Sequence, residues 1–189
     1  MRISLLRGLV GCGVLCFSAL VWAAAPTWQV VPAESKITFT ATQNGSPLTG
    51  EFKSFTGDIQ FDPADLTSSH VKIAVDIASV STSYKEVADT LKTPDWFDVK
   101  LFPQAVFEAS HFTKVADNQY QADGSLKIRD KTVPVVLTFS LDKWTPQAAL
   151  AKGSTTLKRT AFGVGKGDWA KTDAVKDDVK VDFILSAKK

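Results

Sequence analysis

Few side chains in this sequence could carry out acid–base or nucleophilic chemistry. The two histidines, His70 and His111, stand alone in strand-like segments, a setting typical of surface or packed histidines. Both cysteines, Cys12 and Cys16, lie in an apolar N-terminal segment, and no Gly-x-Ser-x-Gly motif occurs. Two histidines without cysteines also argue against a structural zinc site. The sequence therefore predicts that the protein is not an enzyme, and a hydrolase or isomerase would lack an evident nucleophile–base pair.

A glycine-rich segment at residues 163–167, Gly-Val-Gly-Lys-Gly, comes nearest to a phosphate-binding motif. A P-loop requires four residues between its first glycine and the Gly-Lys pair, with Ser or Thr after the lysine, and neither condition is met. A turn between strands is the main interpretation. A second interpretation is that backbone N–H groups here, with Arg159 and Lys166, hold an anionic head group.

Arg159 is the most suggestive charged residue. It follows Leu157 by two residues in a predicted strand, so both side chains are expected on the same apolar face. A buried arginine needs a partner, because an unpaired buried charge is costly. The partner is either a ligand oxygen or a carboxylate such as Asp168, Asp95 or Asp98, and the sequence leaves both alternatives open.

Residues 95–107, DWFDVKLFPQAVF, form an aromatic stretch without helical periodicity. Just before it, Ser83-Tyr84-Lys85-Glu86 matches a capping box and predicts a short amphipathic helix over residues 83–92. We expect the helix and the aromatic loop to cover one open end of a β structure and to line a ligand cavity. The side chains expected to contact the ligand there are those of Trp96, Phe97 and Phe102.

The rest of the chain alternates apolar and polar residues, which is typical of strands with one buried face. The clearest example is residues 71–77, where Val71, Ile73, Val75 and Ile77 alternate with polar or small residues. About eight strands at hairpin spacing predict an all-β fold, an antiparallel sheet that closes or forms a sandwich. An eight-stranded barrel is wide enough to hold one small ligand.

The N-terminus predicts export. Residues 1–23 have two arginines, an apolar core and a Val-Trp-Ala ending, which is typical of a signal peptide cleaved after Ala23. A membrane anchor is the alternative, but the apolar run is shorter than the ~20 residues that span a bilayer. Removing residues 1–23 leaves 20 Lys and Arg against 20 Asp and Glu, a neutral domain over residues 24–189. Neutrality argues against a nucleic-acid partner.

A set of short motifs, matched in order and spacing over residues 28–187, resembles the YceI-like family. The motifs are Trp28, Phe52-Lys53-Ser54-Phe55-Thr56-Gly57-Asp58-Ile59, Phe61-Asp62-Pro63, Asp95-Trp96-Phe97-Asp98, Phe102-Pro103, Phe107, Gly124-Ser125-Leu126-Lys127-Ile128, Pro134-Val135 and Arg159-Thr160-Ala161-Phe162-Gly163. The resemblance implies an extended, lipocalin-like antiparallel barrel in the periplasm, with one short helix and an aromatic loop at one end. It also implies a long isoprenoid ligand in the barrel, either an isoprenoid quinone or a polyprenyl phosphate, with no other cofactor and no metal.

The residues that we expect to contact this ligand are mostly aromatic: Phe39, Trp96, Phe97, Phe102, Phe107, Phe139, Arg159, Phe162 and Trp169. Where many members of the family have a histidine, this chain has Gln43-Asn44-Gly45. That departure resembles a branch found with cytochrome b561-type membrane proteins, which handle quinones. The alternative function is therefore a periplasmic accessory protein of such a cytochrome, with no stably bound lipid. Either a monomer or a homodimer is compatible with these expectations.

Overall fold

The computed structural model describes residues 25–189, so the signal peptide predicted for residues 1–23 lies outside the described part. Within residues 25–189 there are eleven strands and one α-helix. They are β1 (Thr27–Val30), β2 (Lys36–Gln43), β3 (Ser46–Phe52), β4 (Phe55–Gln60), β5 (His70–Asp76), β6 (Val80–Thr82), α1 (Lys85–Leu91), β7 (Gln104–Ala116), β8 (Gln119–Ile128), β9 (Lys131–Trp144), β10 (Ala148–Lys158) and β11 (Asp178–Lys188).

The eleven strands form one antiparallel sheet that closes into an eight-stranded barrel. β1 and β2 are two parts of one interrupted strand, as are β3 with β4 and β5 with β6, because each pair of parts shares the same neighbours. Every full strand pairs with the next one along the chain, and β11 returns to pair with both β1 and β2. The predicted all-β barrel of about eight strands with one short helix is confirmed.

The interruptions have local causes. After β1, Pro32 begins a 3₁₀ turn, and proline has no N–H to donate to a sheet. After β5, the Asp76 carboxylate accepts a hydrogen bond from the Ala78 N–H at 3.0 Å. The Ser79 hydroxyl donates to the Asp76 carbonyl and accepts from the Ser54 N–H, at 2.6 and 3.0 Å. Side chains thus replace the missing ladder bonds, and the strands bend without leaving buried polar groups unpaired.

One end of the barrel is filled by aromatic side chains. The Phe61 ring is central, with edge-on neighbours at centroid distances from 5.3 to 6.0 Å: Phe112, Tyr120, Phe139 and Trp144. Trp28 packs on Trp144 at 4.7 Å, and its indole N–H donates to the Phe61 carbonyl. Edge-to-face pairs of this kind add about 0.5–1.5 kcal/mol each beyond the burial of their surface. This end is therefore a packed core.

The opposite end is covered by α1 and the loop that follows it. The predicted capping box is wrong. It places Ser83 at the N-cap, whereas the N-cap is Tyr84, whose side chain makes no capping hydrogen bond, and the helix begins at Lys85. The Thr82 hydroxyl donates to the Tyr84 carbonyl instead, at 2.6 Å, and sets the entry to the helix. Leu91 is buried, whereas Tyr84 is exposed. Within residues 25–189, no helix has the length and hydrophobicity needed to cross a bilayer.

Candidate functional site

Two apolar cavities lie inside the barrel. The larger, of about 320 Å³, lies under α1 and the aromatic loop, and the smaller, of about 200 Å³, lies between it and the aromatic end. Five side chains line both cavities: Ile37, Val75, Leu126, Leu157 and Val181. These five residues form a waist between two compartments of one interior. The arrangement suits a long, narrow apolar ligand.

Eight of the nine predicted contact residues lie on the walls of these cavities. The larger cavity is lined by Phe39, Trp96, Phe97, Arg159, Phe162 and Trp169, and the smaller by Phe107 and Phe139. Their contact with a ligand stays a prediction. Phe102 lines neither cavity, so its predicted place on the wall is wrong. Its ring instead packs against Arg129, whose guanidinium carbon lies 5.4 Å from the ring centroid.

Arg159 is buried, as expected, but its partners are not the expected ones. Its guanidinium has five N–H groups, and it makes five hydrogen bonds, all to backbone carbonyls. Nε donates to Lys176 at 3.1 Å, Nη1 to Val164 and Gly165 at 2.9 and 3.5 Å, and Nη2 to Lys171 and Val175 at 2.8 and 2.9 Å. Neither a ligand oxygen nor Asp168, Asp95 or Asp98 is needed to satisfy it. Arg159 therefore holds together an irregular segment of the chain.

Arg159 stands where β10 ends and an irregular segment begins. The sequence predicted that Arg159 continues β10, but it begins a 3₁₀ turn, Arg159–Phe162. The Thr160 N–H in this turn donates to the Asp177 carboxylate. Burial lowers the pKa of the Arg159 guanidinium, and the nearby Asp177 carboxylate opposes that shift. The arginine side chain stays positively charged in proteins, so the carbonyl oxygens around it stabilise a buried charge.

A second buried arginine, Arg129, holds the aromatic loop and was not foreseen. Its Nη1 donates to the carbonyl of Pro94 at 2.7 Å and to the carbonyl of Trp96, and its Nη2 lies 3.9 Å from the Asp98 carboxylate. Arg129 stands in the β8–β9 turn with a φ of 55°. A charged turn is typical of solvent-exposed surface, so nothing in the sequence indicated that Arg129 is buried.

The aromatic loop is also bound to the segment that Arg159 holds. The backbone N–H groups of Gly165 and Lys166 both donate to the Asp95 carbonyl, at 2.9 and 2.7 Å. The tip of the β2–β3 hairpin joins the same network, because the Asn44 N–H donates to the Ala174 carbonyl at 2.7 Å. We call the loops joined in this way, residues 92–103 and 159–177, the lid. The lid is fixed to the hairpin and to the β8–β9 turn.

The mouth of the larger cavity lies beside α1. Among the residues that line this cavity, only Glu86 and Thr90 are exposed, and they stand one helical turn apart. Val87 and Leu91, on the adjoining face of the helix, line the cavity. In the described part of the chain, the hydrogen bonds of α1 go to its own turns and to the lid. The exposed side of α1 that carries Glu86 and Thr90 therefore marks the mouth of the cavity.

One polar group on the cavity wall has no partner. Trp96 is buried, and its Nε1 has no hydrogen-bond acceptor within residues 25–189. Elsewhere, His111 is exposed and lies 3.8 Å from Asp123. No group of three His, Cys, Asp or Glu side chains converges in the described residues to offer a preformed metal site.

Residues 28–187 match the YceI-like domain, and the chain belongs to this family. A UPF0312 protein of Pseudomonas aeruginosa is 32% identical over 146 residues, which cover 74% of this chain and 72% of that protein. A UPF0312 protein of Vibrio cholerae serotype O1 is 26% identical over 167 residues, covering 84% of this chain and 88% of the relative.

Solved structures share the same fold. BcnA of Burkholderia cenocepacia has a TM-score of 0.79 and 32% identity, covering 83% of this chain and 98% of BcnA. A polyisoprenoid binding domain from Saccharophagus degradans, implicated in plant cell wall breakdown, has a TM-score of 0.67. It covers 85% of this chain and 97% of that domain at 11% identity, so the likeness there is one of fold.

Proposed function

We propose that this chain is a periplasmic binding or carrier protein for a long-chain isoprenoid lipid held inside the barrel. The observation that carries the proposal is the pair of apolar cavities joined at a waist, of about 320 and 200 Å³. A volume of this order is typical of small-molecule sites, which are mostly apolar with few polar groups. The solved Saccharophagus degradans domain of the same fold is described as binding polyisoprenoid, which supports the proposal.

The tail of such a lipid would supply most of the affinity. Ligands of drug size average about 0.3 kcal/mol per non-hydrogen atom, so a tail of about forty carbons is worth roughly 12 kcal/mol. That corresponds to nanomolar binding without any contribution from the head group. The buried Nε1 of Trp96 favours a ligand that also carries an oxygen, because an acceptor from the ligand would satisfy this donor.

The proposed role is binding without catalysis. The cavity wall contains one arginine and one glutamate as its charged residues, and the arginine is fully engaged by carbonyls. General acid–base or nucleophilic catalysis needs groups that meet at a reacting atom. The rest of the wall is mostly apolar, which suits storage or transfer of a lipid.

An alternative is an accessory protein of a cytochrome b561-type membrane protein, with no stably bound lipid. One observation favours it: Tyr84, at the N-cap of α1, and Leu101, on the lid, are 64% and 71% exposed. Large apolar side chains at one end of a molecule can mark a contact with another protein. The two candidates differ in whether the barrel itself is occupied.

Native mass spectrometry of gently purified protein tests the proposal. We expect a mass increment that organic extraction identifies as an isoprenoid lipid. After removal of that lipid, the protein should take up an added polyprenol or isoprenoid quinone at one to one stoichiometry. A protein that carries no lipid and takes up none would exclude the carrier and leave the accessory role.

A further inference from the structure

We infer that the mouth of the larger cavity selects lipids by the charge of the head group, favouring uncharged head groups over phosphates, and that Glu86 determines this selection. The inference rests on the proposed function, because it presupposes a lipid tail inside the barrel. Burying a polar head group without partners is costly, so the head stands at the mouth while the tail fills the interior. The mouth is where Glu86 and Thr90 reach solvent.

Three polar side chains that line the larger cavity suit a neutral head group. They are the amide of Gln43, the carboxylate of Glu86 and the hydroxyl of Thr90. The Thr90 hydroxyl donates to the Glu86 carbonyl at 2.8 Å, which leaves its oxygen free to accept. An amide can donate to a ligand carbonyl, and a carboxylate or hydroxyl oxygen can accept from a ligand hydroxyl. Carbonyl and alcohol head groups therefore find matching partners.

Within residues 25–189, a phosphate head group would find no cation with a free N–H group on the cavity wall. The five N–H groups of Arg159 are all taken by backbone carbonyls. Within residues 25–189, no lysine lines the larger cavity. The lysines at the two ends of α1, Lys85 and the C-cap residue Lys92, lie 2.5 and 3.9 Å from the Asp89 carboxylate. A monophosphate carrying about −1.5 to −2 charges would meet the carboxylate of Glu86 without compensation.

The size of the repulsion is sufficient to decide between ligands. Two unit charges about 4 Å apart interact with about 1 kcal/mol in water and about 4 kcal/mol near a protein surface. The lower figure already corresponds to about a fivefold change in a dissociation constant. The interaction is exposed, so salt must weaken it.

The test compares geranylgeraniol with geranylgeranyl phosphate, which share a tail and differ in charge. Each ligand displaces a fluorescent fatty-acid probe from the full chain at low ionic strength, below its critical micelle concentration. We expect the alcohol to bind at least about tenfold more tightly than the phosphate, and about 1 M salt to narrow the gap. In the Glu86→Gln variant the ratio of the two dissociation constants should fall about fivefold, and Glu86→Lys should reverse the preference.

The matched control is Asp117→Asn, which removes the same charge in the β7–β8 turn. β7 has 13 residues and runs from the lid end to that turn, a distance of about 40 Å. Asp117 is fully exposed there, and its replacement should leave the ratio unchanged. Equal binding of both ligands, tighter binding of the phosphate, or a ratio that Glu86→Gln does not change would overturn the inference. If the wild-type chain binds neither ligand, the proposed function itself fails.

Discussion

Gly165 has no room for a side chain because Nη1 of Arg159 occupies the place where its Cβ would stand. Gly165 also has a φ of 82°, a conformation that L residues rarely adopt. The closest approach of the lid to the buried guanidinium therefore depends on a glycine. The glycine at the centre of the Gly-Val-Gly-Lys-Gly segment is therefore explained by its contact with Arg159.

Gly165→Ala should lower the free energy of unfolding by about 2–4 kcal/mol, since a clash in a packed site adds to the cost of the positive φ. Gly163→Ala is the matched control. Gly163 has a similar φ of 67°, but its added Cβ would meet only the Lys166 side chain, at 3.4 Å. The control should lose about 1–2 kcal/mol from the backbone alone. Urea denaturation measures both, and equal losses would show that the contact with Arg159 is unimportant.

Arg159→Gln should weaken binding of charged, neutral and purely hydrocarbon ligands together, and should lower stability by about 3 kcal/mol or more. The reason is that several buried carbonyls lose a charged donor at once. The exposed Lys158→Gln, which removes a cation paired with Asp178 at the surface, should change neither property appreciably. Loss of one ligand class with unchanged thermal stability would instead place Arg159 in direct contact with the head group.

Val181→Phe should separate ligands by tail length. Val181 lines both cavities at the waist, so a larger side chain there closes the passage between them. If about ten carbons of a long tail are then excluded from the smaller cavity, about 3 kcal/mol, or roughly a hundredfold in affinity, is lost. A short isoprenoid that fits the larger cavity alone should keep its affinity.

The control for the waist is Val136→Phe, which makes the same change on an exposed residue of β9. It should affect neither long nor short ligands. Competition binding with a series of polyprenols measures all three proteins. Parallel losses for short and long tails in Val181→Phe would show that the two cavities do not hold one ligand.

Asp177 should make the lid sensitive to acid. Burial alone would raise the pKa of its carboxyl, but hydrogen bonds from the Thr160 N–H and hydroxyl, with the charges of Lys158 and Arg159, lower it overall. A carboxyl with a depressed pKa in the folded state stabilises the fold above its unfolded pKa of about 3.9, and this contribution is lost as pH falls through the folded value.

Asp177→Asn should therefore cost about 0.5–1 kcal/mol at neutral pH, a small value because solvent reaches the site. The difference from wild type should shrink as pH falls below about 3.9 and vanish once the wild-type carboxyl is protonated in the folded state. Urea denaturation across pH measures this. A difference that stays constant down to low pH would assign the effect to the shape of the side chain.

The sequence predicted the barrel and most of its inner wall because strand alternation decides which side chains point inward. Phe39, Phe107 and Phe139 follow from that rule alone. It also predicted the burial of Arg159, although this residue belongs to a 3₁₀ turn and does not continue the strand. The sequence did not indicate that β1 and β2 are two parts of one strand, because the pattern of apolar residues stops at the proline turn and then resumes as if a new strand began.

The lid could not be predicted in detail because irregular backbone has no period. Phe102 was placed on the cavity wall by its residue type, whereas its ring packs on Arg129. Arg129 looked like a surface residue in a charged turn, and only the folded lid surrounds it with carbonyls. The acceptors of Arg159 were likewise invisible, since any residue can offer a backbone carbonyl.

The barrel closes where the last strand meets the first: Gln29 pairs with Lys188 and Val30 with Ala187. All other neighbouring strands of the barrel are consecutive in the chain, so they can pair in the order in which they are synthesised. The pairing of β1 with β11 can form only after β11 has been synthesised. Until then β1 and β2 offer unpaired edges to other chains, which are sites of aggregation. A nascent chain that stops before residue 178 lacks the strand that closes the barrel. In the closed barrel, β1 and the end of β11 lie side by side, which suits circular permutation at that seam.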